Sequence, residues 1–240
     1  VENYVDGTPS NADDKTVEFT YDGMDHTLTV KALLAGGGYQ ETKYVYGVTA
    51  GQGSAVTSND ILRATQHPDP TTGAASSGEQ EVMTVDALGQ TLTVEDRNGT
   101  VHTLTYDVLG RITSDAVTTL GAGVDGAVLR LETAYDAQGN AYLFTSYGAA
   151  SGGNVVNQVE REFNGLGQMT EEWQEHAGVV TGTTPVLQNA YSEMAGGANH
   201  SRLTKVTYPG GYELNFNYAT GLDADISRLS SLSDSTGTLE

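Results

Sequence analysis

An aromatic residue, then Asp or Asn, then two residues and a glycine: this short pattern recurs along the whole 240-residue chain. A motif that returns at the length of a hairpin leaves few folds open, because a repeat architecture must bury its core between successive copies. The fullest copy is Leu104-Thr105-Tyr106-Asp107-Val108-Leu109-Gly110-Arg111-Ile112. Others are Val85-Asp86-Ala87-Leu88-Gly89, Tyr135-Asp136-Ala137-Gln138-Gly139 and Phe163-Asn164-Gly165-Leu166-Gly167. A fifth, Tyr21-Asp22-Gly23-Met24-Asp25-His26, has Asp where glycine is expected. Fainter echoes sit at Tyr46-Gly47, Tyr191-Ser192 and Tyr218-Ala219. The markers at 21, 46, 85, 106, 135, 163, 191 and 218 hold this spacing from one end of the chain to the other.

The residue chemistry around each marker is that of a hairpin. Leu104 and Tyr106 are two apart and share one face of a strand, while Thr105 takes the other. Leu129, Leu131 and Tyr135 are expected to line one face against Arg130, Glu132 and Asp136. Tyr212, Leu214, Phe216 and Tyr218 do the same against Glu213, Asn215 and Asn217. Asp107 can end its strand by accepting backbone N–H groups of the turn, and Gly110 can take the positive φ that closes a type I turn with a bulge. Asn98-Gly99 reads as a two-residue hairpin, and Tyr208-Pro209-Gly210-Gly211 as a further reversal. Helical patterning is scarce; Thr170–His176 is the best candidate and is equally readable as a strand. A hairpin with one apolar face does not stand alone in water, so successive copies must pair edge to edge. The expected fold is all-β: tandem hairpins in one continuous, curved antiparallel sheet. It would occupy residues 1–240 as a single array of about eight units, with an irregular insertion near 47–80.

Charge narrows the partners. Eleven Lys and Arg face 31 Asp and Glu, a formal net charge of −20. Such a surface repels phosphate backbones and anionic lipid, so neither nucleic acid nor membrane insertion is expected. No apolar run approaches the ~18 residues of a spanning helix. There is no cysteine, hence neither disulfides nor thiolate metal sites. The start at Val1-Glu2-Asn3 and the end at Gly237-Thr238-Leu239-Glu240 both read as cuts within a longer polypeptide.

The segment Tyr106-Asp107-x-x-Gly110-Arg111 resembles the YD-repeat signature of RHS proteins, related to repeats of Tc-toxin shells and teneurins. The resemblance covers nearly the whole chain. Only the copy at Tyr106 has tyrosine, aspartate, glycine and arginine together; those at Val85 and Phe163 replace the tyrosine. It implies a β-sheet ribbon that spirals into a hollow shell around a cargo polypeptide, or one that displays surfaces at the cell exterior. About eight units are too few to close a cocoon, so an open segment of such a shell is expected. The repeat markers Tyr21, Asp22, Asp86, Gly89, Tyr106, Asp107, Gly110, Arg111, Tyr135, Asp136, Gly139, Phe163, Asn164 and Gly167 are then structural residues.

Sites for chemistry are hard to assemble from what remains. His26, His67, His102, His176 and His200 are scattered, with no pair at metal-ligand spacing. Glu171-Glu172 and Asp13-Asp14 are adjacent, so on a strand their members point to opposite faces and form no acid–base couple. Carboxylates of different repeats could still converge as in glycosidases. The turn aspartates would suit calcium, but capping of the turn by the same oxygens is the simpler reading, and no cofactor is expected. Marker aromatics could stack on sugars, with core packing the simpler reading. Asn98-Gly99-Thr100 and Asn199-His200-Ser201 fit the glycosylation sequon and carry little weight. The sequence therefore points to a non-enzymatic scaffold of a large secreted or surface-exposed bacterial protein, building a wall, shell or fibre. Its partners would be neighbouring repeats or further copies of itself. The alternatives are an adhesion or carbohydrate-binding module and a toxin shell, with surface glycans or an enclosed polypeptide as partner.

Overall fold

A computed structural model of the chain describes residues 16–34, 37–192, 201–218 and 228–239. Contacts divide the chain into two compact units, Val1–Gly126 and Ala127–Glu240. The first holds β1 (Thr16–Tyr21), β2 (Thr27–Leu33), β3 (Tyr39–Val48), β4 (Ser58–Pro68), β5 (Ala75–Val85), β6 (Thr91–Glu95), β7 (Val101–Tyr106) and β8 (Ile112–Thr119). The second holds β9 (Arg130–Tyr135), β10 (Ala141–Tyr147), β11 (Val155–Phe163), β12 (Met169–Glu175), β13 (Val186–Tyr191), β14 (Leu203–Thr207), β15 (Glu213–Tyr218), β16 (Leu229–Asp234) and β17 (Gly237–Thr238). Among the described residues the one helical element is a 3-10 turn, Ala50–Gln52. The fold is all-β, and in each unit every strand pairs antiparallel with its chain neighbours.

Register sorts the side chains onto two unlike faces. In the first unit one face carries Val30, Tyr44, Met83, Val94 and Leu104, and the other Lys31, Gln66, Gln80, Thr93 and Thr103. Threonines meet across strands on the polar face: Thr20 and Thr29 hydroxyls lie 2.7 Å apart, those of Thr84 and Thr93 2.6 Å. In the second unit Phe144, Val159, Leu187, Val206, Leu214, Phe216 and Leu232 share one face. Glu160, Glu162, Trp173, Gln188, Lys205 and Asn215 share the other.

Among the described residues neither unit has a second layer. Substantial contacts run between consecutive strands, with β3 against β5 the exception. Accordingly the buried apolar side chains among the described residues are few: Val48, Ala64, Val85, Ala116 and Val206. A buried Val or Leu contributes roughly 1.5–3 kcal/mol, and the half-buried ones that dominate here contribute less. Stability therefore rests on ladders and on contacts between neighbouring repeats, the condition of a quasi-one-dimensional array.

The stretch 47–80 contains two of the longest strands, β4 and most of β5, joined by connections that fold back onto their neighbours. Ala55 N–H donates to the Val85 carbonyl at 2.7 Å, and the Ser54 hydroxyl accepts Val85 N–H at 3.1 Å, which seats a loop over the end of β5. Gly73, at φ 74°, brings its carbonyl to Glu41 N–H at 2.8 Å, and a Cβ there would stand 1.8 Å from the Tyr39 carbonyl oxygen. Only glycine permits that approach.

Three local expectations need correction or resolution. Of Thr170–His176, all but His176 is strand, forming most of β12, and none is helix. Arg130 is buried at 9% exposure while Leu131 is 53% exposed, the reverse of the expected stripe. The Arg130 guanidinium lies 3.9 Å from the Tyr147 ring centroid, and Glu132 sits 2.9 Å from its Nε. A planar cation on an aromatic face, with a carboxylate beside it, outcompetes an aliphatic side chain for that position. Asn98-Gly99 is not a two-residue hairpin but the interior of a longer turn led by Asp96, described below.

Candidate functional site

Within each unit the markers fall on one side of the sheet. Tyr21, Val85 and Tyr106 end β1, β5 and β7, and Tyr46 lies two residues before the end of β3. Tyr135, Phe163, Tyr191 and Tyr218 end β9, β11, β13 and β15. Strands alternate in direction, so odd-numbered strands all finish on the same side. One repeat is thus two strands, and the marker is its corner.

The corner is a fixed hydrogen-bonded frame. Asp107 N–H donates to the Arg111 carbonyl at 3.0 Å, and Gly110 N–H to the Asp107 carbonyl at 3.0 Å. Asp107 Oδ1 accepts the N–H groups of Leu109 at 2.9 Å and Arg111 at 3.0 Å. The same pair of side-chain bonds, two and four residues on, recurs at Asp22, Asp86, Asp96, Asp136 and Asn164. The residue three after the acid is left-handed each time: Gly89, Gly99 and Gly110 at φ 80°, Gly139 at 94°, Gly167 at 74° and Asp25 at 64°. At Tyr208 the backbone frame forms without a leading acid, Tyr208 N–H reaching the Tyr212 carbonyl at 2.8 Å.

These bonds favour the ionised carboxylate. The Arg111 N–H holds the Asp107 carboxyl below its ordinary value against partial burial, and the Arg111 side chain adds to this. At Asp136 the Asn140 amide leads, and at Asp96 the Thr100 N–H. At Asp22 burial is the largest influence and pushes upward, but the bonds from Met24 and His26 together outweigh it.

The residue four after the acid closes the corner. Arg111 Nε lies 2.7 Å from Asp107 Oδ2, His26 Nδ1 2.9 Å from Asp22 Oδ2, and Asn140 Nδ2 2.9 Å from Asp136 Oδ2. Glutamine at this position also reaches the next corner: Gln90 Nε2 donates to the Gly110 carbonyl at 3.4 Å, and Gln168 Nε2 to the Ser201 carbonyl at 2.8 Å while its Oε1 accepts the Asn164 amide at 2.9 Å.

Three marker tyrosines tie their repeat to the one before. Tyr106 donates its hydroxyl to the Thr91 carbonyl at 2.7 Å, Tyr191 to that of Met169 at 2.9 Å and Tyr218 to that of Leu203 at 2.8 Å. Each acceptor is the residue paired with the previous marker: Thr91 with Val85, Met169 with Phe163, Leu203 with Tyr191. Burial raises the Tyr106 phenol, Asp86 adding to the effect, and burial alone raises that of Tyr191; both therefore remain donors. Sequence reasoning misses these latches and the corner at Asp96. A polar residue recurring four after the acid, from His26 to Gln168, is the signal that could have revealed the closing position.

The remaining candidates stay apart. His102 Nδ1 bonds Asp115 at 2.7 Å, and His67 lies 3.5 Å from Glu81. Glu172 is held by Arg161 at 2.7 Å and Glu171 accepts from Gln188 at 2.6 Å, on opposite faces of β12. Both line no shared catalytic pair. A shallow hollow bordered by Glu172, Glu175, His176, Pro185 and Leu187 has its carboxylates engaged, Glu175 by the Thr184 hydroxyl at 2.8 Å. Among the described residues no three His, Asp or Glu cluster as metal ligands. Thr100 of the first sequon is buried. Asp13, Asp14, Asn199 and His200 lie outside the described residues.

No family model and no curated protein matches the chain. Among solved structures it is similar to a chain in the crystal structure of TcdB2-TccC3-TEV, at 14% identity and TM-score 0.45, covering 91% of this chain and 11% of that one. It is similar to a chain of TcdB2-TccC3-Cdc42 at 12% identity and TM-score 0.33, covering 93% and 14%. A third is the Photorhabdus luminescens Tc holotoxin pore, at 12% identity and TM-score 0.29, also covering 93% and 14%. The chain thus spans only 11–14% of the length of these solved chains.

Proposed function

We propose that this chain is a structural segment of a large, secreted or surface-exposed bacterial protein, in which stacked hairpins form a wall. One observation carries the reading: the acid of each full corner binds its own turn and three marker tyrosines bind the neighbouring repeat, from the Asp107 corner to the Tyr106 latch. A site for chemistry needs groups left over for a ligand, and the corners consume theirs. In this reading the chain has no catalytic role and holds no cofactor, and its partners are repeats of the same polypeptide. An antibody raised against the chain tests the placement. It should label intact source cells or their medium, with the label removed by external protease. Labelling confined to the cytoplasm of opened cells would overturn it.

A carbohydrate-binding surface is the second reading, supported by aromatic rings outside the apolar face. Trp173 stands on the polar face, opposite Glu160 and Val186. Tyr208 and Tyr212 lie at a corner with ring centroids 5.8 Å apart, both exposed. Such rings suit stacking on sugars. Binding on a glycan array that disappears in Trp173→Ala or Tyr212→Ala would favour this reading; an array with no signal would dismiss it.

A further inference from the structure

One corner departs from the others in chemistry rather than in shape. The corners after Tyr21, Val85, Tyr106 and Tyr135 lead with aspartate, whereas the corner after Phe163 leads with Asn164, and Gly165 follows it. Asparagine before glycine is open to attack on its side-chain amide by the next backbone nitrogen, because glycine has no Cβ to shield that nitrogen. The same dipeptide occurs in a second setting, Asn98-Gly99. The two settings differ at every atom the reaction uses. Asn164 Oδ1 accepts the N–H groups of Leu166 at 2.9 Å and Gln168 at 3.1 Å. Attack at Cγ puts negative charge on that oxygen, and two fixed N–H donors stabilise it. The nucleophile is free as well. Gly165 is exposed, its N–H has no acceptor among the described residues, and nothing lies within 4 Å of where a Cβ would stand. At Asn98 both conditions are reversed. Its side chain has no hydrogen bond among the described residues, and Gly99 N–H is held by the Asp96 carbonyl at 3.0 Å. Asp22-Gly23 offers the same glycine, but a carboxylate resists nucleophilic attack.

We propose that Asn164 is a site of self-modification, converted in the folded chain to aspartate through a cyclic imide with Gly165. The Gly165 nitrogen gives its proton to hydroxide and bonds to Asn164 Cγ. The Cγ–Nδ2 bond breaks, and ammonia leaves with a proton taken from water. Water then opens the imide. Addition at Cγ releases the Gly165 nitrogen and leaves aspartate; addition at the main-chain carbonyl leaves isoaspartate, with an extra methylene in the backbone. The corner selects between them. Asn164 N–H on the Gln168 carbonyl and Gly167 N–H on the Asn164 carbonyl, both at 2.9 Å, close over a main chain of normal length. Aspartate preserves that frame and is the residue that makes the same two side-chain bonds at Asp22, Asp86, Asp107 and Asp136. The bond lost is that from Asn164 Nδ2 to Gln168 Oε1 at 2.9 Å. Gln168 is left on the Ser201 carbonyl, as Gln90 beside Asp86 is on that of Gly110. Conversion brings this corner into line with the rest and adds a negative charge to a chain already at −20. It goes beyond the scaffold reading, which stands whether or not Asn164 reacts.

The two Asn-Gly pairs give an internal comparison. The full chain is kept folded at mildly alkaline pH and sampled over time. Peptides carrying Asn98 and Asn164 are then followed by mass spectrometry, with electron-transfer fragmentation to separate aspartate from isoaspartate. Conversion at Asn164 should exceed that at Asn98 roughly 10-fold, a fraction of what oxyanion donors supply in an enclosed site. Aspartate should be its main product. In concentrated urea the two pairs should react at similar rates. Asn164→Asp, made directly, should unfold at the same urea midpoint as the unconverted chain. Conversion at Asn98 as fast as at Asn164 in the folded chain, or isoaspartate as the main product at Asn164, overturns the proposal. So does a preference that persists in urea, which would belong to the sequence rather than to the corner, or a lower midpoint for Asn164→Asp.

Discussion

The corners at Asp22 and Asp107 share one frame built from different residues. In both, the aspartate N–H meets the carbonyl four residues on at 3.0 Å, and Oδ1 gathers two N–H groups within 2.8–3.0 Å. They differ at three places. Gly110 occupies the left-handed position in one, and Asp25, at φ 64°, in the other. Arg111 closes one corner and His26 the other. Tyr106 is latched to the preceding repeat, whereas the Tyr21 hydroxyl has no partner among the described residues. The aspartate and the backbone thus define the corner, while glycine lowers its cost and tyrosine joins it to a neighbour. A left-handed residue with a side chain carries a penalty of about 1–2 kcal/mol, so the Asp22 corner keeps its shape under strain that the Asp107 corner avoids.

The largest effect should come from imposing a worse version of that strain on the relaxed corner. In Gly110→Val a β-branched residue must adopt φ near 80°, and its Cβ would stand 2.9 Å from Gln90 Nε2. The expected loss is about 2–3 kcal/mol in urea unfolding. A loss below roughly 0.5 kcal/mol would mean that the glycine is only a spacer. The converse change should relieve the strained corner: Asp25→Gly is expected to stabilise by about 1 kcal/mol. Unchanged or reduced stability would show that the Asp25 carboxylate has a role that offsets its backbone.

Much of this contrast was legible from residue order. Asp25 in place of glycine was visible directly, and so was the alternation Leu104-Thr105-Tyr106, because a strand's period of two is written into every residue. Less legible was the corner at Asp96. There the Asn98-Gly99 pair carries the local preference of a two-residue hairpin, but Asp96 Oδ1 accepts from Asn98 and Thr100 and enforces the longer turn. Local propensity yielded to a side-chain cap. The inversion at Arg130 and Leu131 depends on Tyr147, 17 residues away in sequence and placed opposite Arg130 only by cross-strand register. The latches depend on register in the same way: tyrosine is a plain marker until the carbonyl beneath it is known.

Acid should distinguish the corners more gently. Both carboxyls titrate below 3.8 in the folded chain, Asp107 chiefly through the Arg111 N–H, Asp22 through bonds that outweigh its burial. A folded value below the unfolded one adds stability that is complete above the unfolded value and is lost as pH falls through the folded one. Unfolding midpoints in urea should therefore hold above about pH 5 and decline below about pH 4. Asp107→Asn keeps an acceptor for the two N–H groups, as Asn164 does, but removes one titrating group, so its decline should be shallower. Carboxyl carbon titrations by NMR give the two midpoints separately, and a value at or above 3.8 for either residue would contradict the account of that corner.

The smallest effect asks whether the latch is a rule of the repeat or a habit of three tyrosines. Phe163 is a marker with no hydroxyl, and the residue paired with the marker before it, Tyr135, is Ala141. By the pattern of Tyr106, Tyr191 and Tyr218, a tyrosine at 163 should donate to the Ala141 carbonyl. Phe163→Tyr is then expected to gain about 0.5–1 kcal/mol, the net worth of one partly buried hydrogen bond. Hydrogen exchange should slow at the start of β10 and be unchanged at the Asp107 corner. A loss of stability would mean that the space above Ala141 is closed to a hydroxyl. Adjacent repeats there would be held by ring packing alone, and the difference between a latched and an unlatched corner would have to be sought in the fit of the rings.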